Sequence, residues 1–412
     1  MSPNSWIPLG SDYLCYRALA PDAGVYYPIR TVRDCTDWIV ARLSAPGRRR
    51  EICATLSRAA AEPPAGVIHA VLTENNYGYS DDQKRMGHGQ RSDAPAHRLC
   101  SAICISDISL VRSLLDEGID VNGKSDIFGS PLTCAARGGH LQAAQLLIEI
   151  GADVNLDVTL TTGRKEMSKL SAPGGFRAPW TALDAAAAGG HEEIVKLLLE
   201  PHLNLSRSSC SFFNAIIRAA RKGNTRALQI LMDHADFDAI PRGYVTRVLD
   251  VALKESASGG HVETMQFLLD AGAPVDLEPR DKEAREWTAV GRAAGNGHNS
   301  AIELLLDRGA EIDKWWLWQE SPLLEAARGG FPRTVTLLID RGAELGDGKY
   351  VRPLLHAEFF PWCVIKVLLE KGAHKRDPEA TVDMLENAYR DKRQDVVDLL
   401  LEYGVTLGDK SD

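Results

Sequence analysis

Four histidines, His140, His191, His261 and His298, each follow a glycine at the same point of a recurring segment. Imidazole is a metal ligand and a general base near neutral pH, so their grouping decides whether the chain carries chemistry. His191-Glu192-Glu193 begins like the zinc-binding H-E-x-x-H, but Val195 stands where the second histidine is required. The eight cysteines, at positions 15, 35, 53, 100, 104, 134, 210 and 363, form no C-x-x-C and have no nearby H-x₃₋₅-H pair. Cys100 and Cys104 lie one helical turn apart, yet without companion histidines they read as free, partly buried thiols in a reducing compartment. No phosphate-binding glycine loop, dinucleotide fingerprint or G-x-S-x-G elbow occurs. No catalytic residue, metal ligand or cofactor is therefore assigned.

The elements that carry these residues must belong to an ordinary globular chain. Of 412 residues, 44% are hydrophobic and 25% charged, values that argue against wholesale disorder. No apolar run approaches the ~18 residues that a membrane span needs. The start MSPNSWIPLG lacks the basic and apolar regions of a secretory signal. The net charge of -9 opposes general binding to a nucleic-acid backbone. Residues 1–95 hold 11 basic against 10 acidic side chains, and residues 96–412 hold 36 against 46, so the acidity belongs to the later part. Arg48, Arg49 and Arg50 read either as a localisation signal or as the exposed start of a helix.

Internal repetition organises the chain. SPLTCAARGGHLQAAQLLIEIGADVN (130–155) is echoed by TALDAAAAGGHEEIVKLLLEPHLNL (181–205), TAVGRAAGNGHNSAIELLLDRGAEID (288–313) and SPLLEAARGGFPRTVTLLIDRGAELG (321–346). Each has a Ser or Thr opening, a thin helix with Ala-Ala, a glycine turn, a leucine-rich helix, and then Gly-Ala or its substitute. The residues closing the second helix are Gly118, Gly151, His202, Ala235, Gly272, Gly309, Gly342, Gly372 and Gly404. Their spacing gives a base period near 33 residues with insertions. No single unit can bury its apolar face alone, so stability must come from stacking.

This pattern resembles the ankyrin repeat family, whose T-P-L-H-x-A opening recurs at 33 residues. SPLTCAA, TALDAAA, TAVGRAA and SPLLEAA are variants of it, and GGH at 139–140 and 190–191, SGGH ending at His261 and NGH at 297–298 match its inter-helix turn. The resemblance covers about residues 97–408 and implies an all-α ankyrin-repeat solenoid with short β-hairpin or loop fingers. It also implies that the turn histidines bridge adjacent repeats by hydrogen bonds, at roughly 10 Å per repeat, rather than sharing a ligand. Repeats are expected near 97–122, 129–155, 179–206, 211–238, 247–276, 287–313, 320–346, 351–375 and 380–408, the last with the charged positions of a cap. Residues 1–95 are expected to be an N-terminal helical region. It would hold an amphipathic helix over 31–44 with Trp38, Ile39 and Leu43, a degenerate repeat over 49–76 and a flexible loop over 77–95. A second insertion covers 157–178.

In that family the residues before the opening, and those at the first-helix end, line a concave binding face. Carried over, these are Trp180, Phe213, Trp287, Leu317, Trp318 and Glu320, with Arg137, Arg221, Lys222 and Arg328. Trp and Arg are the side chains most often found at binding hot spots. Aromatics packing on one another, or under the 157–178 insertion, would account for the same residues structurally. The resemblance implies a non-enzymatic scaffold or adaptor, in one form a transcriptional coregulator, that binds another protein and not nucleic acid or membrane. It would be monomeric and cytoplasmic, nuclear, or both. The reading from a different class is a small-molecule binder or catalyst using a groove under the 157–178 insertion.

Overall fold

A Ser or Thr followed by Pro or Ala and a small-residue run predisposes each repeat to open as a capped helix, and the computed structural model bears this out. It describes residues 15, 18–19, 27–61, 94–125, 127–156, 181–278, 287–314, 321–345 and 360–407. Ser130, Thr288 and Ser321 accept the backbone N–H three residues on, at 3.2, 3.0 and 3.4 Å. Thr181 forms a full capping box: its hydroxyl accepts from the Asp184 N–H at 3.3 Å while Asp184 Oδ2 accepts from the Thr181 N–H at 2.9 Å. Pro131 and Pro322 occupy the first helical turn, where a missing N–H costs nothing.

The chain divides into two compact units, residues 1–219 with 226–239, and residues 220–225 with 240–412. The first unit begins with α1 (Tyr27–Arg42) and α2 (Arg49–Ala61), which pack together, and α1 also packs on α3 (Pro95–Cys104). Four more helices follow as pairs with α3: α4 (Ile108–Asp116), α5 (Pro131–Gly138), α6 (Leu141–Glu149) and α7 (Ala182–Gly189). Then come α8 (Glu192–Leu198), α9 (Cys210–Lys222) and α10 (Thr225–His234). First helices stack on first helices (α3 on α5, α5 on α7), and second on second (α4 on α6, α6 on α8).

The second unit repeats this pattern. Its helices are α11 (Arg242–Gly259), α12 (Val262–Asp270), α13 (Ala289–Ala294), α14 (Asn299–Asp307), α15 (Pro322–Gly329) and α16 (Pro332–Asp340). The unit ends with α17 (Trp362–Glu370), α18 (Ala373–Arg376), α19 (Pro378–Arg390) and α20 (Gln394–Glu402). Again α11, α13 and α15 form one row and α12, α14, α16 and α17 the other. The second row is laced by an ion pair at each step. Asp270 meets Arg308 at 2.9 Å, Asp307 meets Arg341 at 3.2 Å, and Asp340 meets Lys371. These pairs are exposed and worth well under ~1 kcal/mol each; they fix register more than they stabilise.

The core is thin and alanine-rich where first helices touch: Ala135, Ala136, Ala186, Ala187, Ala293, Ala294, Ala326 and Ala327 are all fully buried. Leu147, Leu198, Leu268, Leu305 and Leu338 fill the layer toward the second helices and are equally buried. Among the described residues no strand occurs, and the expected hairpin fingers reduce to one antiparallel bridge between Ser125 and Gly129. There, Ser125 Oγ accepts from the Phe128 N–H at 2.9 Å and sits 2.8 Å from His97 Nδ1. The cysteines serve the same packing. Cys100 and Cys134 donate to the carbonyls of Gly129 and Phe128 at 3.5 and 3.2 Å. Burial pushes the Cys35 thiol up to about 11 and that of Cys53 to about 12, so neither is a ready nucleophile.

Turn histidines do what the resemblance implied. His191 Nε2 donates to the carbonyl of Arg137 at 3.0 Å, His261 to that of Arg221 at 3.1 Å, and His298 to that of Ser258 at 3.1 Å. Each bond ties one repeat's turn to the end of the previous first helix. Burial holds His140 and His261 below the usual imidazole range, which keeps the ring neutral. The paired glycines make room. A Cβ on Gly138 would meet the His140 ring at 2.4 Å, and one on Gly139 would meet the His191 ring at 2.6 Å. Phe331 takes the histidine's place one repeat on, against Gly297 and Gly329.

Second helices close as expected on left-handed glycines at 118, 151, 272, 309, 342, 372 and 404, but neither His202 nor Ala235 takes that conformation. At the first of these the chain makes a 3₁₀ turn over Pro201–Leu203, and Asn204 adopts φ +50° instead. Proline at 201 ends α8 early, and asparagine is the non-glycine residue that best tolerates this conformation. The two insertions, at 77–95 and 157–178, lie outside the described residues apart from Ala94 and Pro95.

Gly139 and Gly151 separate backbone strain from crowding. Both have positive φ, +72° and +100°, but only Gly139 has a ring where its Cβ would go. Gly151→Ala is expected to cost ~1–2 kcal/mol, the left-handed penalty alone. Gly139→Ala is expected to cost at least ~1 kcal/mol more, because the His191 ring must move and its hydrogen bond weakens. Urea unfolding of the two variants checks the order.

Candidate functional site

Among the described residues, the side chains that the resemblance assigns to recognition lie on the first-helix row. In the second unit this row carries a chain of charges. Glu255, midway along the last turns of α11, meets Arg221 Nε at 3.4 Å and Arg292 Nη1 at 3.8 Å. One carboxylate, only 15% exposed, thus lies between two guanidiniums from the flanking repeats. Arg221 keeps 57% of its side chain exposed and Arg292 20%. One residue further along, Lys222 is exposed, and so is Arg328 at the end of α15. Lys254 and Asp250, one turn earlier on α11, form a buried pair at 2.8 Å.

Trp287 stands immediately before the Thr288 cap and is half-buried. A Cβ on Gly291 would come within 3.7 Å of its ring, so the indole leans over the first turn of α13. A side chain at 291 would be in ordinary van der Waals contact with the ring, and part of the indole remains exposed to solvent.

Phe213 is a correction. Its side chain has no exposure, stacks on Phe237 at 6.1 Å and meets Phe212 edge-on at 5.9 Å. The cause is local. Ser209 Oγ accepts from the Phe212 N–H, so α9 starts ahead of the usual opening and turns Phe213 into a core residue. Arg137 is half-buried and donates to the Phe128 carbonyl at 2.9 Å, tying the helix end to the preceding bridge. Trp180, Leu317, Trp318 and Glu320 lie outside the described residues.

Sequence reasoning missed Glu255 and Arg292. Both are five residues before a turn glycine, Gly260 and Gly297, and Arg218 and Glu325 hold the same place before Gly223 and Gly330. Aligning the repeats on those glycines, rather than on the threonine opening, exposes the alternation Arg218, Glu255, Arg292, Glu325. In the first unit, Arg218 Nε donates toward Asp184 Oδ1 at 3.3 Å. Asp184 has no exposure, and burial raises its carboxyl from the ordinary 3.8 to about 6 despite Arg218 and the Thr181 cap.

Among the described residues no three His, Cys, Asp or Glu side chains gather to hold a metal ion. A shallow groove of about 500 Å³ opens between the N-termini of α14 and α16, lined by His298, Asn299, Phe331, Arg333 and Thr334 among others. It includes none of the expected contact residues. The groove anticipated under residues 157–178 lies outside the described residues.

Comparison with known proteins gives the following. A family model for ankyrin repeats in many copies matches residues 97–148 and 183–232, and one for three copies of ankyrin repeats matches residues 253–349. The chain is 29% identical over 232 residues to the probable E3 ubiquitin-protein ligase XBOS33 of Oryza sativa subsp. japonica, covering 46% of this chain and 41% of that protein. It is 28% identical over 211 residues to E3 ubiquitin-protein ligase XBAT32 of Arabidopsis thaliana, at 46% and 39%. With ankyrin repeat and KH domain-containing protein mask-1 of Caenorhabditis elegans it shares 30% over 198 residues, 47% of this chain and 6% of that one. The match therefore spans about two fifths or less of the length of these relatives. Among solved structures, the human ASB11 ankyrin repeat domain aligns with a TM-score of 0.43 at 22% identity, over 60% of this chain and 98% of that one.

The Asp184 carboxyl yields a pH prediction with a definite sign. Its folded-state value is raised, so its contribution to stability is fully present below the unfolded value near 3.8 and is lost as pH rises through about 6. Asp184→Asn has no charge to bury. Its stability relative to wild type is expected to improve by up to ~3 kcal/mol between pH 3.5 and 7.5. Denaturant melts at both pH values check this; a pH-independent difference contradicts it.

Proposed function

Because the chain belongs to the ankyrin-repeat family, we propose that it is a recognition module, an adaptor that holds another protein against its first-helix row. Ankyrin repeats are in general protein-interaction modules, and the reading here assigns the contact to particular side chains. The observation that carries it is the division of labour along each repeat. Glycine, alanine, leucine and histidine serve the stack, while Trp287, Arg221, Lys222 and Arg328 stand on the same row with surface left over. A rigid row with aromatic and guanidinium side chains loses little entropy on binding, which is what makes such residues hot spots.

The matched relatives share the repeat stretch under different names. Two bear the name E3 ubiquitin-protein ligase and a third the name of a KH domain, over a comparable share of this chain. Different names joined to a shared repeat stretch fit a part that selects partners. The described cysteines are free thiols, several of them buried, which suits a reducing compartment such as cytoplasm or nucleus.

Affinity capture with the wild-type chain and with a Trp287→Ala/Trp318→Ala variant tests the reading. One dominant captured protein is expected to fall tenfold or more in the variant, in line with hot-spot losses of ~2 kcal/mol or more. Identical captures, with a metabolite retained at stoichiometric level, would contradict it.

A further inference from the structure

We propose that the first-helix row of the second unit, from Arg221 to Arg328, docks an acidic, extended segment of a partner protein. This rests on the recognition reading above and specifies the partner's chemistry. It runs against what the chain's net charge of -9 suggests, namely a basic partner.

The unit separates its charges between its two helix rows. Arg221 and Lys222 with helices α11, α13 and α15 hold seven basic side chains (Arg221, Lys222, Arg242, Arg247, Lys254, Arg292, Arg328) against Asp250, Glu255 and Glu325. Helices α12, α14, α16 and α17 hold Glu263, Asp270, Glu303, Asp307, Asp340 and Glu370 against Arg333, Lys366 and the C-caps Arg308, Arg341 and Lys371, a slight acidic excess. The positive excess thus sits on one row and the negative excess on the other. Mean charge conceals this.

Glu255 shows how the row receives a carboxylate. It lies between Arg221 and Arg292, so two guanidiniums share one acid and a positive charge is left over. Arg221 engages Glu255 through Nε while more than half of its side chain faces water. A guanidinium carries five donors in a fixed fork, which leaves Arg221 donors for a second carboxylate. Lys222 beside it and Arg328 further along the row are exposed as well.

The spacing selects an extended chain. Packed helices stand ~8–10 Å apart, and a strand advances ~3.3 Å per residue. Acidic residues about every third position would then pass from one first helix to the next. A nucleic-acid backbone is a poorer match, because its phosphates are closely and continuously charged. Asp250, Glu255, Glu325 and the acidic second row would all repel it.

The test measures fluorescence anisotropy on the full chain. The probe is a fluorescein-labelled peptide of 12 residues with glutamate at every third position and Gly, Ser and Ala between. A glutamine version and a 12-nucleotide oligouridine are run beside it. The glutamate peptide is expected to bind at least tenfold more tightly than the glutamine one, and more weakly as salt rises. Arg221→Glu/Lys222→Glu is expected to lower its affinity fivefold or more, and Glu263→Lys on the second row to leave it unchanged. Arg221→Gln/Lys222→Gln keeps the test valid if charge reversal beside Glu255 unfolds the repeat; circular dichroism and the melting midpoint show which variant applies. Equal binding of the two peptides, unchanged affinity in both double variants, or tighter binding of oligouridine would each overturn the proposal. If those results arise while Trp287-dependent capture persists, only the acidic preference falls. Loss of the capture itself would remove the recognition reading underneath it.

Discussion

At four steps of the stack an aromatic ring lies over a turn glycine of the preceding repeat (His191 over Gly139, His261 over Gly223, His298 over Gly260 and Phe331 over Gly297), and the packing of the helices at those steps depends on that contact. The His191 ring needs glycine at 139 and 189 because a Cβ at either would occupy its space, and its Nε2–H donates to the Arg137 carbonyl. Once the turns are clamped, the first helices can approach only if their facing residues are small, which is why Ala135, Ala186, Ala293 and Ala326 are buried where they are. The leucines behind them then have a fixed layer to fill. Phe331 shows that a flat ring can fill this place without the hydrogen bond: its aromatic face covers the corresponding glycines, Gly297 and Gly329.

This clamp underlies the proposal that a partner binds along the first-helix row. The residues that repeat, glycine, alanine, leucine and histidine, are occupied in holding neighbours, so what differs between repeats is free to meet a partner. Arg221, Glu255 and Arg292 show the two demands meeting at one place. Glu255 is buried enough to require a partner and receives two, one from each side. Removing either arginine alone would leave Glu255 one partner, and removing both would leave a largely buried carboxylate uncompensated, which is costly. The same pairs therefore fix helix register and leave positive charge at the surface.

Much of this was legible in the sequence. The period, the alanine pairs, the closing glycines and the histidine positions all follow from constraints local to one repeat, which every copy must satisfy. Phe213 and His202 failed for the opposite reason. Ser209 starts α9 ahead of the usual opening, and Pro201 stops α8 early, so a residue counted from the repeat period lands on the wrong face. Helix α11 is similar, beginning at Arg242 well ahead of its turn at Gly260. The charge alternation was hidden because it spans repeats of unequal length and appears only when they are aligned on the turn. Trp180, Leu317, Trp318 and Glu320 fall outside the described residues, so Trp287 is the one expected aromatic among the described residues that keeps part of its ring exposed.

If neighbour-to-neighbour clamping is the organising contact, damage to one clamp must stay local. Native-state hydrogen exchange on His261→Ala, residue by residue through the second unit, measures this directly. The account predicts reduced protection in α11, α12 and the adjoining α13, with α19 and α20 unchanged. A uniform loss across the unit would show a single cooperative core in which the His261–Arg221 bond is one contact among many, and would contradict it.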